Sequence, residues 1–259
     1  MTNTPYERYP VQLRDVVKSY GRGDNAVTAL DQVSLSFAPA TFTAVMGPSG
    51  SGKSTLLQCA AGLDRVTSGT VAIEGTRIDT MDETALTRLR RDRLGFIFQS
   101  FNLIPTLTVR QNITLPFELA GRRPARGAVR ELLDRLGLSA PADRRPAELS
   151  GGQQQRVAVA RALLAEPAVI FADEPTGSLD THTAAAVLDL LRDVVHRDGR
   201  TIVMVTHDPI AASKADTVVF FADGRVREIV AGLSPGQVAA RMARLAAPLS
   251  TFDMAGGVA

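Results

Sequence analysis

The sequence predicts an α/β fold, a mostly parallel sheet flanked by helices with an antiparallel sheet attached. Three observations carry this expectation. From residue 41 onward, short apolar runs alternate with segments of helical pattern, the order that gives parallel strands joined by helices. Ahead of them lie two segments in which apolar and polar residues alternate with period two, as in half-buried antiparallel strands. The chain has 259 residues, 45% apolar and 22% charged, which is enough for a full core and excludes wholesale disorder or a fibrous repeat.

Taken in order, Val11–Tyr20 partly alternates and runs into a turn at Gly21–Asn25. Val33-Ser-Leu-Ser-Phe37 places Val33, Leu35 and Phe37 on one face of a second strand. Thr41–Met46 is a short buried strand that leads directly into a glycine-rich loop and then a helix from Lys53 to about Ala61. Thr70–Ile73 with Gly75 reads as a strand and turn, Thr84–Arg93 as a helix and Leu94–Phe98 as a strand. The pattern from Thr106 to Leu138 is mostly helical, broken at Gly121–Pro124. Gln153–Ala165 is helical, Ala168–Ala172 a strand, Thr183–His196 a helix, and Thr201–Val205 and Thr217–Phe221 strands. Gly232–Gly236 is a linker-like break that closes a single domain at about residue 231. A tail, 232–259, follows with one short helix over Gln237–Ala246 and a stretch, Pro248–Ala259, expected to fray.

Composition narrows the function. The longest unbroken apolar runs are five residues, as in Ala168–Ala172, against the 18 or so needed to span a membrane. Met1–Pro10 is polar and lacks the apolar core of a secretory signal. Cys59 is the sole cysteine, so the expectation is a cytoplasmic chain without internal disulfides, with Cys59 a small buried apolar residue rather than a reactive thiol. Basic and acidic residues nearly balance, 29 against 27, which does not make a nucleic-acid platform. Arg88–Arg93 is interrupted by Asp92, lacks interleaved aromatics and reads as a solvated helix face. Among the 29 basic residues only Lys18, Lys53 and Lys214 are lysines, and Lys53 stands between Gly52 and Ser54.

That lysine belongs to Gly47-Pro48-Ser49-Gly50-Ser51-Gly52-Lys53-Ser54, which fits the G-x-x-x-x-G-K-[ST] pattern at every fixed position. Glycines let the backbone curl so that successive N–H groups point inward, and the helix that follows adds its positive N-terminal end, so the loop suits polyphosphate. In such a loop Lys53 neutralises the β- and γ-phosphates, Ser54 offers a hydroxyl to Mg²⁺ and Thr55 a further phosphate contact. The motif alone indicates nucleotide binding without choosing among transporter, helicase, kinase and GTPase. Further on, Leu149-Ser150-Gly151-Gly152-Gln153 opens a helix. It is either a second anion site or a serine cap with two turn-forming glycines. Val169–Asp173–Glu174 is an apolar strand ending in two carboxylates, where α/β folds place ligands. There Asp173 suits Mg²⁺, and Glu174 suits taking a proton from water.

The order phosphate loop 47–55, Gln99, signature 149–153, Asp173-Glu174, Ser178-Leu179-Asp180 and His207 resembles the ATPase subunit of ABC transporters over about residues 11–230. The resemblance implies an antiparallel β subdomain and a helical subdomain at about 101–148 beside the phosphate-loop core. It further implies that Tyr20 stacks on adenine, that Gln99 reaches Mg²⁺ and the attacking water, and that His207 contacts the γ-phosphate. Asp180 belongs to a loop that crosses a dimer interface. Each ATP is sandwiched between the phosphate loop of one copy and Ser150–Gln153 of the other. His182 and His196 match no family position and are expected to be solvated. Phe101–Asn112, the stretch from Leu149 to Ala162, and Ala172–Asp180 resemble the macrolide-exporter, lipoprotein-release and cell-division branch, with Ser178 where asparagine is usual.

That branch implies a membrane permease with a large extracytoplasmic domain as partner, no nucleic acid, a place on the cytoplasmic face of the membrane, and a surface around Phe101–Leu115 that transmits dimer closure. Two alternatives stay open. The dimer could drive a mechanical permease that regulates a cell-wall hydrolase or signals stress without transport, or the chain could be a soluble ABC ATPase acting on DNA or ribosomes. Against the latter, the 94 residues from Thr55 to Leu149 carry no sustained heptads and the chain holds one cassette.

Overall fold

In a computed structural model, residues 9–246 are described, so the segment expected to fray, Pro248–Ala259, lies outside them. The chain begins with β1 (Val11–Tyr20), β2 (Val27–Phe37) and β3 (Phe42–Met46), then α1 (Lys53–Ala60). Next come β4 (Ser68–Ile73), β5 (Thr76–Arg77), α2 (Glu83–Arg93) and β6 (Leu94–Phe98). Two helices, α3 (Val109–Leu119) and α4 (Ala128–Arg135), precede α5 (Gly151–Leu163), β7 (Val169–Asp173) and α6 (Thr181–Asp198). The last elements are β8 (Thr201–Val205), α7 (Pro209–Ser213), β9 (Thr217–Ala222), β10 (Arg225–Ala231) and α8 (Pro235–Ala246).

Two sheets result. One is antiparallel, in the order β2-β1-β4-β5, and the other has six strands, β10-β9-β3-β8-β7-β6, parallel except for β10. The parallel strands bury both faces, so their residues divide strictly by parity. Val45, Phe171, Val203, Val205 and Phe221 face one apolar cluster, with α1 and the antiparallel sheet. Ala44, Met46, Ala172, Met204 and Phe220 face the other, with α6, α7 and α8. This double burial is why these strands read as continuous apolar runs rather than alternating ones. A third cluster, with Val109, Ile113, Leu133, Leu138 and Val157, joins α3 and α4 to α5.

Several elements are longer than the sequence pattern indicates. β2 starts at Val27, not Val33, because its first half pairs with Lys18–Tyr20 while Val27 itself stays 65% exposed, which blurs the alternation. β10 and α7 escape the pattern altogether. β10 is an edge strand with mostly exposed side chains, and its signal is the Asp223-Gly224 pair. Both residues are left-handed, at φ +51° and +71°, and close a two-residue hairpin between Ala222 and Arg225. α8 and the turn before it are packed against the body of the molecule through Val238 and Leu233, 0% and 7% exposed.

Candidate nucleotide-binding site

The glycine-rich loop joins the C-terminal end of β3, the central strand of the parallel sheet, to α1. Gly52 is required here: its φ is +100°, and a Cβ would sit 2.2 Å from the Ala29 carbonyl oxygen of β2. The antiparallel sheet therefore presses the loop from one side. The Lys53 ammonium donates to the Gly47 and Pro48 carbonyls, 2.8 Å each, folding the side chain back over the loop. The Ser51 hydroxyl is buried and accepts or donates no hydrogen bond, an orphan polar atom inside the loop.

Across a cleft of about 410 Å³ the loop faces the ends of β7 and β8. Its walls are Ser49, Gly50, Gly52, Lys53, Ser54, Thr55, Asp173, Glu174, Val205 and His207, with Ala29 at the rim. Glu174 is held from three sides. Its amide donates to the Val205 carbonyl at 2.9 Å, one carboxylate oxygen lies 2.7 Å from His207 Nδ1, and the other accepts from the Thr206 hydroxyl at 3.2 Å. Its φ is +47°, a left-handed conformation that a non-glycine residue adopts at a cost of about 1 kcal/mol or more. The strain turns the side chain out of the β7 line and toward the cleft.

Charges in the cleft are poorly matched without a ligand. Burial pushes the Asp173 carboxyl above its ordinary value, and the neighbouring Glu174 carboxylate adds to this, with Lys53 opposing. Burial pushes the Lys53 ammonium below its ordinary value, against the pull of Glu174 and Asp173. A half-buried ammonium, an unpartnered hydroxyl and two adjacent carboxylates could hold a phosphate chain together with a divalent cation, since few carboxylates, a hydroxyl and phosphate oxygens suit Mg²⁺.

The other sequence-derived site residues do not line this cleft. Tyr20, at the end of β1, is 42% exposed, and its hydroxyl donates to Asp64 at 2.7 Å. Gln99 follows β6, and its side chain rests against the backbone of Gly177, whose Cβ would meet the Gln99 amide nitrogen at 2.8 Å. The Gln99 carbonyl accepts from the Ser178 hydroxyl at 2.9 Å, so the serine that stands in the usual asparagine position ties the Gln99 turn to the loop after Glu174. Ser150 and Gln153 close a capping box at the start of α5: the Ser150 hydroxyl accepts from the Gln153 amide at 3.3 Å, and the Gln153 side chain accepts from the Ser150 amide at 3.0 Å. Hence α5 begins at Gly151, two residues before the sequence pattern starts. Gly152 is set by packing, since a Cβ there would lie 2.2 Å from Thr183 Cγ2 on α6. The Gly151 and Gly152 amides remain at the mouth of the helix, beyond the reach of the intrahelical ladder. Asp180 caps α6 by accepting from the Thr183 amide at 3.0 Å, and this holds its carboxyl below the usual range.

Three positioning side chains lie within the stretches that carry the branch resemblance, but the sequence assigns them no role. Gln155, 0% exposed, donates from α5 to the Pro175 carbonyl, just beyond Glu174. Arg161, also on α5, donates to the Phe101 and Asn102 carbonyls at 2.9 and 2.6 Å, across a turn where both residues are left-handed. Asn112, fully buried, accepts from the Ile104 amide and donates toward the Ile104, Leu107 and Thr108 carbonyls. Their signal in sequence is weak: a polar residue on a helix face that otherwise faces the core. His196, expected to be solvated, lies 3.6 Å from Asp216. Arg90 and Arg93 pair with Glu83 and Glu74, and Cys59 is buried as expected.

Comparison with known proteins agrees with this geometry. The family model described as ABC transporter matches residues 30–177. The chain is 46% identical over 220 residues, 84% of its length, to a macrolide export ATP-binding/permease protein of Marinobacter nauticus, of which it spans 34%. It is 45% identical over 218 residues to an uncharacterized ABC transporter ATP-binding protein of Mycobacterium tuberculosis, spanning 83% of this chain and 88% of that one. The chain thus covers about a third of the length of the macrolide-export relatives and most of the mycobacterial one. Among solved structures, a dimeric ATP-binding cassette in a post-hydrolysis state bound to ADP and Pi superposes with a TM-score of 0.77 at 40% identity, covering 86% of this chain and 99% of that chain. A Clostridium perfringens protein that is part of an ABC transporter complex superposes with the same TM-score at 28% identity, over 90% and 92% of the two chains. With a family model over more than half of its length and a relative 45% identical across most of both chains, the chain belongs to the ABC transporter family.

Proposed function

We propose that this cassette works as an ATP-sandwich dimer that drives a separate membrane permease from the cytoplasmic face, and that Mg²⁺ accompanies the nucleotide. The observation that carries the dimer is an incompleteness. The cleft holds the phosphate loop, Lys53, Asp173, Glu174 and His207, but Ser150–Gln153 form no part of its wall. A second copy supplies them, with the Gly151 and Gly152 amides and the positive end of α5 facing the γ-phosphate. The solved relative with ADP and Pi is itself dimeric.

The residue roles follow from position. Lys53 exchanges its bonds to the Gly47 and Pro48 carbonyls for phosphate oxygens, and Ser51 gains an acceptor for its unpartnered hydroxyl. Ser54, Asp173 and Gln99 would hold Mg²⁺, and the ion would neutralise charge on the phosphates. Glu174 accepts a proton from the water that attacks the γ-phosphorus, while His207 keeps that carboxylate oriented and meets the γ-phosphate. The oxygen of water bonds to phosphorus as the bond to the β-phosphate oxygen breaks, releasing ADP and phosphate.

Partner and place rest on the relatives. The macrolide-export proteins are named ATP-binding/permease proteins, and among the described residues here no helix is long and apolar enough to cross a membrane. The permease is read as one with a large extracytoplasmic domain. The Lys53→Ala variant tests the site: Mg-ATP affinity is expected to fall at least about tenfold, the loss of a hydrogen bond to a charged group. Unchanged affinity removes Lys53 from the phosphate contacts.

A further inference from the structure

Among the described residues Tyr20 is the one aromatic among the exposed large hydrophobic side chains, and the structure does not leave it loose. Its hydroxyl donates to one carboxylate oxygen of Asp64 at 2.7 Å. The other oxygen accepts from the Lys18 ammonium at 2.7 Å. That ammonium also donates to the Arg65 carbonyl at 2.8 Å, and it lies over the Tyr20 ring, 4.7 Å from its centre. Lys18 and Tyr20 leave the same face of β1, two residues apart, so one carboxylate at the exit of α1 reaches both. The Lys18 side chain is 11% exposed and Asp64 29%, so this triad is fixed while the Tyr20 ring stays open.

We propose that Asp64, together with Lys18, is the positioning residue of the base platform: it holds the Tyr20 ring in one orientation, closes one face with the ammonium, and leaves the other face to a planar purine. This rests on the reading of Tyr20 as the stacking residue. An exposed tyrosine samples several rotamers, and ordering it on binding lowers affinity. A ring already fixed at its hydroxyl and on one face avoids that loss. The cation beneath the ring adds a partner on the side opposite the base. Asp64 also sits in the turn that follows the phosphate-loop helix, so the anchor of the base platform is joined to the phosphate loop through α1.

The test measures binding of two ligands, each with Mg²⁺: ATP, which has a base, and inorganic tripolyphosphate, which has none. Asp64→Ala and Tyr20→Phe are each expected to weaken ATP binding about three- to tenfold. Neither should change tripolyphosphate binding, and the double variant should lose no more than the worse single one, because both remove the same anchor. Tyr20→Phe keeps the ring and the fold, so it reports even if Asp64→Ala folds poorly. Wild-type ATP affinity in both variants, with Tyr20→Ala weakened, overturns the clamp and leaves stacking standing. Equal loss of ATP and tripolyphosphate overturns it in favour of a purely structural role. Unchanged ATP affinity in Tyr20→Ala removes the stacking reading, and the clamp with it.

Discussion

Glu174 shows what a single residue carries that its letter does not. The sequence places a glutamate after Asp173 at a strand end, which suffices to nominate an acid and a base. It gives no hint that the glutamate is left-handed, at φ +47°, or that Thr206 and His207 grip its carboxylate. Those facts depend on β8 lying beside β7, a contact between residues some thirty positions apart. Cys59 is a simpler case, because an apolar neighbourhood on α1 already indicates burial. Its thiol is pushed up to about 12, chiefly by burial, with the Asp64 carboxylate adding and Lys18 opposing. An unfolded cysteine titrates at about 8.5. Between these values the folded chain retains the proton and the unfolded chain loses it, so stability falls as pH rises through that window. Cys59→Ala is expected to flatten the decline, by up to about 1.4 kcal/mol per pH unit, in denaturant titrations from pH 8 to 10. The native thiol should stay inert to an aromatic disulfide reagent at pH 8 until the chain unfolds.

At the scale of elements, the legible ones are those buried on both faces or capped by residues of known chemistry. Thr201–Val205 is all core and lies where its apolar run indicates. The hidden ones are β10, half polar at the sheet edge, and α7, too short for a period but opened by Asp208 and Pro209. The role of α8 was equally hidden, since an amphipathic decamer after a glycine-rich break looks like an appendage. Val238, on its inner face, is fully buried. Val238→Ala is expected to cost at least about 1.6 kcal/mol, two buried methylenes' worth, and to lower Tm in a thermal melt. A melt that matches the parent shows that α8 only rests on the surface. The segment after Gln99 divides in a similar way. Phe101 is half-buried, with its ring beside Gly151 of the signature, whereas Ile104 is 41% exposed on a loop pinned by Asn112. Ile104, rather than Phe101, is therefore the residue we propose to meet a permease. Ile104→Glu is expected to leave the basal ATPase of the isolated cassette near wild type and to reduce its stimulation by reconstituted permease. Undiminished stimulation moves the coupling surface elsewhere.

At the scale of the whole molecule, the proposed site falls into two halves that do not meet within one chain. The phosphate loop and the paired carboxylates share a cleft, while the signature helix presents its glycine amides elsewhere, bound to the Gln99 turn and the Glu174 loop through Arg161 and Gln155. Motif order alone carried the family, because each motif is local. How the motifs would divide between two copies is not local and depends on where the helices pack. In the proposed cycle ATP favours the closed dimer because it binds that state better than the open one, and hydrolysis removes the preference.

Glu174→Gln isolates this claim. The amide keeps the shape of the side chain and a hydrogen-bonding oxygen, cannot readily take the proton, and removes a negative charge facing the γ-phosphate. Turnover is expected to fall at least about 10²-fold, with ATP affinity retained. The decisive measurement is light scattering of this variant with and without Mg-ATP. The expected result is monomer mass without nucleotide and twice that mass with ATP. A variant that has lost turnover and binds ATP yet stays monomeric, or one that hydrolyses ATP at the wild-type rate, contradicts the sandwich or the base, respectively.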